Sequence, residues 1–175
     1  MGQLTYDSIV DQWNKGDHSW ELLRKLGPTG DPRAVTFLSD ALMHADPQVR
    51  REACWALIEI GKGSSDALVA ALRNEDVGVC MVAAWGLGEF ADAKAIKPLT
   101  DLEGDKRSMA SPGGRFLQKL FRPLSGKPTD SIRAISPRTS DIEARFADHC
   151  NKTVGQIAAD AVKKAGAISK RGANF

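Results

Sequence analysis

A 13-residue pattern that occurs three times constrains the fold of this 175-residue chain more than any other feature. Residues 49–61, 79–91 and 154–166 align without gaps, and each copy opens with valine, has alanine at its fifth place and a small residue at its eighth. At about 100° per residue, the shared apolar positions fall within an arc of roughly 100° on a helix. Each copy is therefore predicted to be a helix with one buried stripe, whose small residues let a neighbouring helix approach closely.

A second predicted helix precedes each copy, so the repeating unit consists of helix A, a turn and helix B. The predicted A helices cover residues 34–42, 66–73 and 93–102. The predicted N-caps of the B helices are Asp46, Asp76 and Asn151. Pro98 should kink the last A helix or limit its first turn. The first two units are 30 residues apart.

The third copy begins 75 residues after the second, which predicts a 45-residue insert between helix A and helix B of the third unit. Residues 6–27 are predicted to form a degenerate helix pair that caps the array, as solenoid ends require. The predicted fold is all-α, a right-handed alpha-alpha superhelix of about three helix pairs plus this N-terminal cap. The predicted organisation is a cap over 1–27, repeats over 28–103, the insert over 104–148, and the last helix with a C-terminal tail over 149–175.

Two stretches resemble the HEAT-like repeats of the phycobilisome-lyase type: DPQVRREACWALIEIG at 46–61 and EDVGVCMVAAWGLGEFAD at 75–92. Helices of the A-I-K-P-L type, as at 95–99, accompany them. The resemblance covers residues 28–103 well and 150–167 more weakly, and it implies a HEAT-like solenoid. Such repeats occur in bilin lyases, metal-dependent hydroxylases and adaptor proteins, so the resemblance does not settle function.

The same resemblance allows one enzymatic class to be tested. Deoxyhypusine hydroxylases carry His-Glu pairs on these repeats that bind iron. The matching positions here are residues 51–52, 81–82 and 156–157, and none of them is histidine. The resemblance therefore implies that this iron site is absent.

Two tryptophans occupy equivalent positions on consecutive B helices. Trp55 lies roughly 150° from the centre of the buried stripe, and Trp85 follows one repeat later. If the B helices line a concave face, as the family arrangement implies, both side chains stand on it. The predicted partner-binding residues are Arg51, Trp55, Glu59, Met81, Trp85 and Glu89. The alternative is that the tryptophans pack on each other and on Arg51, or that the insert covers them.

The insert differs in composition from the rest of the chain. Residues 104–140 carry eight basic and two acidic residues and half of all prolines, which predicts a loop or a partly disordered segment. Residues 115–122, RFLQKLFR, form an amphipathic piece whose basic face is Arg115, Lys119 and Arg122. This piece could dock on the solenoid, bind a partner helix or an acidic protein, or touch nucleic acid or an anionic membrane. Residues 140–143 have capping-box spacing and predict a short helix through His149.

No nucleophile–base pair is legible, so neither a catalytic nor a metal site is predicted. Arg50 and Arg51 near Cys54 leave a reactive thiol as an alternative. Glu59 and Glu89 could hold a metal or act in acid–base chemistry, although such paired carboxylates are more often a solvated face.

The net charge is only +2, and no apolar run reaches the roughly 18 residues that a membrane span needs. Three cysteines in no metal spacing predict reduced thiols in the cytoplasm. The sequence therefore predicts a cytoplasmic, non-catalytic scaffold that binds another protein rather than nucleic acid, without a cofactor. The resemblance implies a competing function, a bilin lyase or chromophore chaperone, with a bilin stacked on the tryptophans and its propionates near Arg51 or the insert.

Overall fold

A computed structural model of the chain describes residues 5–108, 145–146, 148–149 and 151–172. Within those ranges the structure is helical and contains no β-strand. The α-helices are α1 (Tyr6–Asn14), α2 (Trp20–Leu26), α3 (Arg33–Ala41), α4 (Pro47–Ile60), α5 (Ser65–Ala71), α6 (Val77–Phe90), α7 (Ile96–Thr100) and α8 (Val154–Gly172). Short 3-10 helices cover Gly27–Thr29, Lys62–Ser64 and Ala93–Ala95. None of the helices described has the length and apolar character that crossing a membrane demands.

The helices form two layers. Each odd-numbered helix packs on the even-numbered helix that follows it, and α2, α4, α6 and α8 pack side by side in that order. We call the even-numbered helices the B layer and the odd-numbered helices the A layer. This arrangement of helix pairs confirms the predicted all-α solenoid.

The first two B helices begin where the sequence predicts. The Asp46 carboxylate accepts a hydrogen bond of 2.8 Å from the Gln48 backbone N–H, and Pro47 occupies the first helical position of α4. Asp76 caps α6 in the same way, with the Gly78 N–H at 2.9 Å. Both helices have 14 residues, so the local signals and the 30-residue period agree.

The predicted cap of the third B helix is wrong. Helix α8 begins at Val154, directly after Thr153 rather than at the position set by Asn151. The Gln156 N–H donates to Thr153 Oγ1 at 3.2 Å, and the Thr153 N–H donates to Gln156 Oε1 at 2.8 Å. This exchange is a capping box, and the Thr-x-x-Gln pattern was present in the sequence. Alignment with the other two copies hid it, because their caps lie further from the shared valine.

The last A helix is shortened around its proline, as expected. Helix α7 has five residues and follows the 3-10 turn Ala93–Ala95. Pro98 lies in its first turn, where the missing N–H has no helical partner to lose.

The two ends of the insert meet at the start of α8. Ser108 and Thr153 form an isolated antiparallel bridge, and the Val154 N–H donates to the Arg107 carbonyl at 2.8 Å. The backbone of Glu103 passes so close to Gly155 that a Cβ atom there would collide with its carbonyl oxygen. The chain therefore leaves the solenoid after α7 and returns to it at α8, and backbone contacts between residues 107–108 and 153–154 hold the two ends of this excursion together.

Candidate interaction site

The two tryptophans pack on each other in the B layer. Trp55 on α4 and Trp85 on α6 make an edge-to-face contact with ring centroids 6.1 Å apart. The predicted juxtaposition is therefore present, but the predicted exposure is wrong. Trp55 has no exposed surface and Trp85 has 6%.

A phenylalanine from the end of the insert covers both tryptophans. The Phe146 ring lies 5.4 Å from the Trp55 ring and 5.7 Å from the Trp85 ring, each at a steep angle, and Phe146 is completely buried. His149 stacks on Phe146 with an interplanar angle of 10°. We call Trp55, Trp85, Phe146 and His149 the aromatic cluster. The insert therefore covers the tryptophans, as one of the two alternatives proposed.

Charged side chains form the rim of this cluster. The Glu89 carboxylate, on the last turn of α6, receives hydrogen bonds from Arg145 and from Lys164 of α8. The Arg145 guanidinium also lies over the Trp85 ring, 5.6 Å from its centroid. Glu89 keeps 19% of its side chain exposed, so this ion pair faces solvent at the edge of a buried aromatic group.

A small cavity opens beside the rim, between α6, α8 and the end of the insert. Its volume is about 250 Å³. Its lining residues are Trp85, Gly88, Glu89, His149, Ile157, Asp160, Ala161 and Lys164. This recess is therefore lined by aromatic rings together with acidic and basic side chains.

Arg51 does not lie on an open surface. It is buried in an ion network in which Glu52 accepts from Arg51 at 3.5 Å and from Arg24 of α2 at 2.5 Å. Burial removes the hydration of these charges. Each charge therefore depends on its ion-pair partners for stabilisation. The Arg24–Glu52 pair therefore joins the N-terminal helix pair to the first repeat, and the predicted exposure of Arg51, which lies beside this pair, is wrong.

Glu59 and Met81 are also buried, contrary to the prediction. The Glu59 carboxylate lies against the backbone of Gly27, where a Cβ atom would come within 2.6 Å of its oxygen. Met81 is enclosed within α6, which is buried over its whole central part, residues 78–88. The flanking α4 and α8 account for this burial, since both pack directly on α6.

The basic face predicted for Arg115, Lys119 and Arg122 lies outside the described residues. The same holds for most of the short helix predicted through His149, although Arg145 and Phe146 are helical.

Burial keeps two thiols protonated. It raises the pKa of Cys54 far above its ordinary value, and it raises the pKa of Cys80 to about 11 despite the nearby Arg107 guanidinium. A reactive thiol needs the opposite shift. The alternative of a reactive Cys54 therefore has no support in this environment.

His149 is tuned toward its neutral form. Burial and then the charge of Lys152 lower the pKa of its imidazole, while a hydrogen bond with the Arg145 backbone and the charges of Asp160 and Asp148 partly oppose this shift. Its Nδ1 atom is buried and has no hydrogen-bond partner among the described residues. His149 therefore packs as a neutral ring, because burial and the positive charge of Lys152 both disfavour its protonated form.

A metal site is not visible in the described part of the chain. No group of three or more His, Cys, Asp or Glu side chains there is placed to hold an ion.

A second cleft, of about 590 Å³, lies between the A-layer helices α3 and α5 and extends to Arg50 and Asp76. Met43 stands exposed at its edge. Sequence reasoning missed this cleft and also missed Phe146 and His149. The only sequence signal for Phe146 and His149 was the capping-box spacing at 140–143, which predicted a helix through this part of the insert.

Comparison with known proteins gives one family. A family model described as HEAT repeats matches the chain twice, over residues 14–80 and 44–110. Together the two matches span more than half of the 175 residues. No curated protein matches the sequence.

Proposed function

Because this chain belongs to the family of HEAT-repeat proteins, we propose that it is a non-catalytic scaffold that binds another protein on its B layer. HEAT repeats generally mediate protein–protein interaction. The observation that carries the proposal is that Phe146 already lies on Trp55 and Trp85, with Arg145 and His149 beside it on Trp85. Paired tryptophans that accept an aromatic side chain are typical of interaction hot spots.

The predicted site residues divide into two groups under this proposal. Trp85 and Glu89 reach the rim and contact the partner directly, with Trp55 beneath them. Arg51, Glu59 and Met81 act as positioning residues, because they are buried in contacts that hold α4 and α6 in place. The basic face of Arg115, Lys119 and Arg122 would supply a second contact, to an acidic patch of the partner.

A reducing compartment such as the cytoplasm suits this role. Cys54 and Cys80 are free thiols buried in the core, and neither is used in a disulfide.

The alternative function is chromophore handling, as the phycobilisome-lyase resemblance implies. The observation that favours it is the recess beside Trp85, where an aromatic floor lies next to Lys164. Propionates would pair with such a cation, and a tetrapyrrole would stack on the indole. At about 250 Å³ the recess is smaller than typical ligand pockets, so binding would require displacement of residues 145–149. Mixing with a bilin and recording visible absorbance tests this alternative; an unchanged spectrum contradicts it.

The scaffold proposal is tested by affinity purification from the native lysate, with the wild type beside two charge reversals. Glu89→Lys changes the rim of the aromatic cluster. Asp66→Lys makes the same change of charge on α5 of the A layer, where the side chain is 86% exposed and is the matched control. We expect a partner that is recovered with the wild type and with Asp66→Lys but is lost with Glu89→Lys.

Other outcomes are equally informative. Recovery with all three proteins would place the interaction elsewhere on the molecule. Recovery with none of them would contradict the scaffold proposal. The double substitution of Trp55 and Trp85 by alanine is unsuitable, because truncating a buried tryptophan costs about 3–5 kcal/mol and would confuse unfolding with loss of binding.

A further inference from the structure

Arg145, Phe146 and His149 contact the B layer in the manner of a bound peptide. Phe146 is completely buried against two tryptophans that belong to different helices and contact each other. Arg145, the residue before it, keeps 57% of its side chain exposed while it pairs with Glu89. A buried aromatic anchor with a charged contact at the rim is the usual anatomy of an interface hot spot.

Phe146 belongs to the buried hydrophobic core, but the residues through which α6 and α8 meet most closely lie outside this segment. The contact between α6 and α8 runs through Gly88 and Ala161, and the insert is closed at its base by the bridge between Ser108 and Thr153. Neither contact includes Arg145, Phe146, Asp148 or His149. Withdrawal of Phe146 would therefore uncover the tryptophans while the helix pairs and the base of the insert stay in place.

The charges around the rim define what could replace the segment. Glu89 has two described cationic partners, and Lys164 remains on α8 when the segment leaves. The other, Arg145, leaves with the segment. Asp160 lies on the same recess and would repel a second carboxylate. An incoming segment must therefore supply both an aromatic ring and a cation beside it.

We propose that residues 145–149 are an intramolecular pseudo-ligand, and that the partner of this surface is a protein segment with a basic residue directly before an aromatic residue. The partner displaces residues 145–149, packs its aromatic ring against Trp55 and Trp85, and pairs its cation with Glu89. This inference rests on the proposed scaffold function and specifies the partner that the site accepts. Because the pseudo-ligand is tethered, it competes at a high effective concentration, and free partner binds the wild type only weakly.

The test uses a fluorescently labelled peptide with the sequence of residues 143–152, in which Cys150 is replaced by serine. Its binding to the full-length protein is measured by fluorescence anisotropy, for the wild type and for Phe146→Ala. We expect Phe146→Ala to bind the peptide about tenfold more tightly, or better, because its surface is no longer occupied. Two control peptides, one with Ala in place of Phe146 and one with Glu in place of Arg145, should bind much more weakly to the same variant.

The matched control in the protein is Asp148→Ala. Its side chain is exposed and lies in the same segment without joining the aromatic cluster, so its affinity for the peptide should equal that of the wild type. Circular dichroism verifies that each variant is folded. Arg145→Ala, which truncates a half-exposed side chain, repeats the test with a smaller expected gain.

Three results would overturn the inference. The first is a folded Phe146→Ala protein that binds the peptide no more tightly than the wild type does. The second is a control peptide without the phenylalanine that binds as well as the parent peptide. The third is failure of both Phe146→Ala and Arg145→Ala to fold, since a segment required for folding cannot be displaced. The peptide assay needs no native partner, so its failure is distinct from a failure of the lysate experiment.

Discussion

At the scale of single residues, ring contacts rather than hydrogen bonds hold the aromatic cluster together. The rings of Trp55, Trp85 and Phe146 meet edge to face, and each such pair contributes about 0.5–1.5 kcal/mol beyond the burial of its area. The Trp55 Nε1 atom is buried without a hydrogen-bond partner among the described residues.

The stability of this cluster should depend on pH through His149. Burial and Lys152 lower the pKa of its imidazole below the ordinary 6.5. The unfolded chain therefore takes up the proton first as pH falls. The free energy of unfolding should be at its full value above pH 6.5 and decrease as pH falls from there toward the lowered pKa.

Urea unfolding of the wild type and of His149→Gln at several pH values checks this prediction. The slope below pH 6.5 should be smaller in His149→Gln. The described carboxylates with lowered pKa values, such as Asp105, titrate below 3.8 and contribute outside this window. Identical slopes in the wild type and His149→Gln would contradict the assignment.

At the scale of elements, two glycines set the distances between B-layer helices. Gly86 faces α4, where a Cβ atom would lie 2.6 Å from Ile58 Cγ1. Gly88 lies on the opposite side of α6, where a Cβ atom would come within 2.7 Å of the Ala161 Cβ. Tight helix packing therefore accounts for two residues that weaken the helix itself.

Gly88→Ala should destabilise the protein by roughly 1–3 kcal/mol, because its Cβ also approaches the Ala161 Cα at 2.8 Å and the backbone of α8 must move. Gly166→Ala on α8 is the matched control, since its Cβ would meet nothing within 4 Å. It should stabilise the helix by up to about 1 kcal/mol. Thermal unfolding compares the two variants. Equal shifts of the same sign would show that helix propensity, and not the α6–α8 contact, decides the outcome.

At the scale of the whole molecule, polar links join successive repeats along the edge of the solenoid. Arg50 of α4 pairs with Asp76, the N-cap of the next B helix, at 2.6 Å. The Asn74 side chain donates to the Leu42 carbonyl of the preceding repeat at 3.1 Å. Both links fix the second repeat to the first, as expected of an array stabilised by nearest-neighbour contacts.

Limited trypsin digestion should cut first within the insert, residues 104–148. Its basic residues supply cleavage sites, and its proline-, glycine- and serine-rich composition is typical of segments without regular structure. Residues 28–103 should survive as a fragment, identified by mass spectrometry, while a urea-unfolded sample is cut throughout. A first cut within residues 28–103 of the native protein would contradict the organisation proposed for the chain.

The helical array could be read from the sequence because its signals are local. Caps such as Asp46 and Asp76 act within one turn, and the small residues that permit helix contact recur at the repeat period. The return of α8 to the array beyond the insert was predictable for the same reason. Only the cap of α8 was misplaced, where the alignment took precedence over the local Thr153–Gln156 pattern.

The environment of the candidate site depended on tertiary structure. A helical wheel correctly places Trp55 away from the buried stripe, but it cannot say what packs there. Phe146 comes from a distant part of the chain, and its position depends on the path of the insert rather than on any periodicity. Glu59 lies against Gly27, at the end of the N-terminal helix pair, which packs on α4 as a further repeat. Local periodicity thus determined the helices and their order, whereas contacts between distant segments decided which of their faces meet solvent.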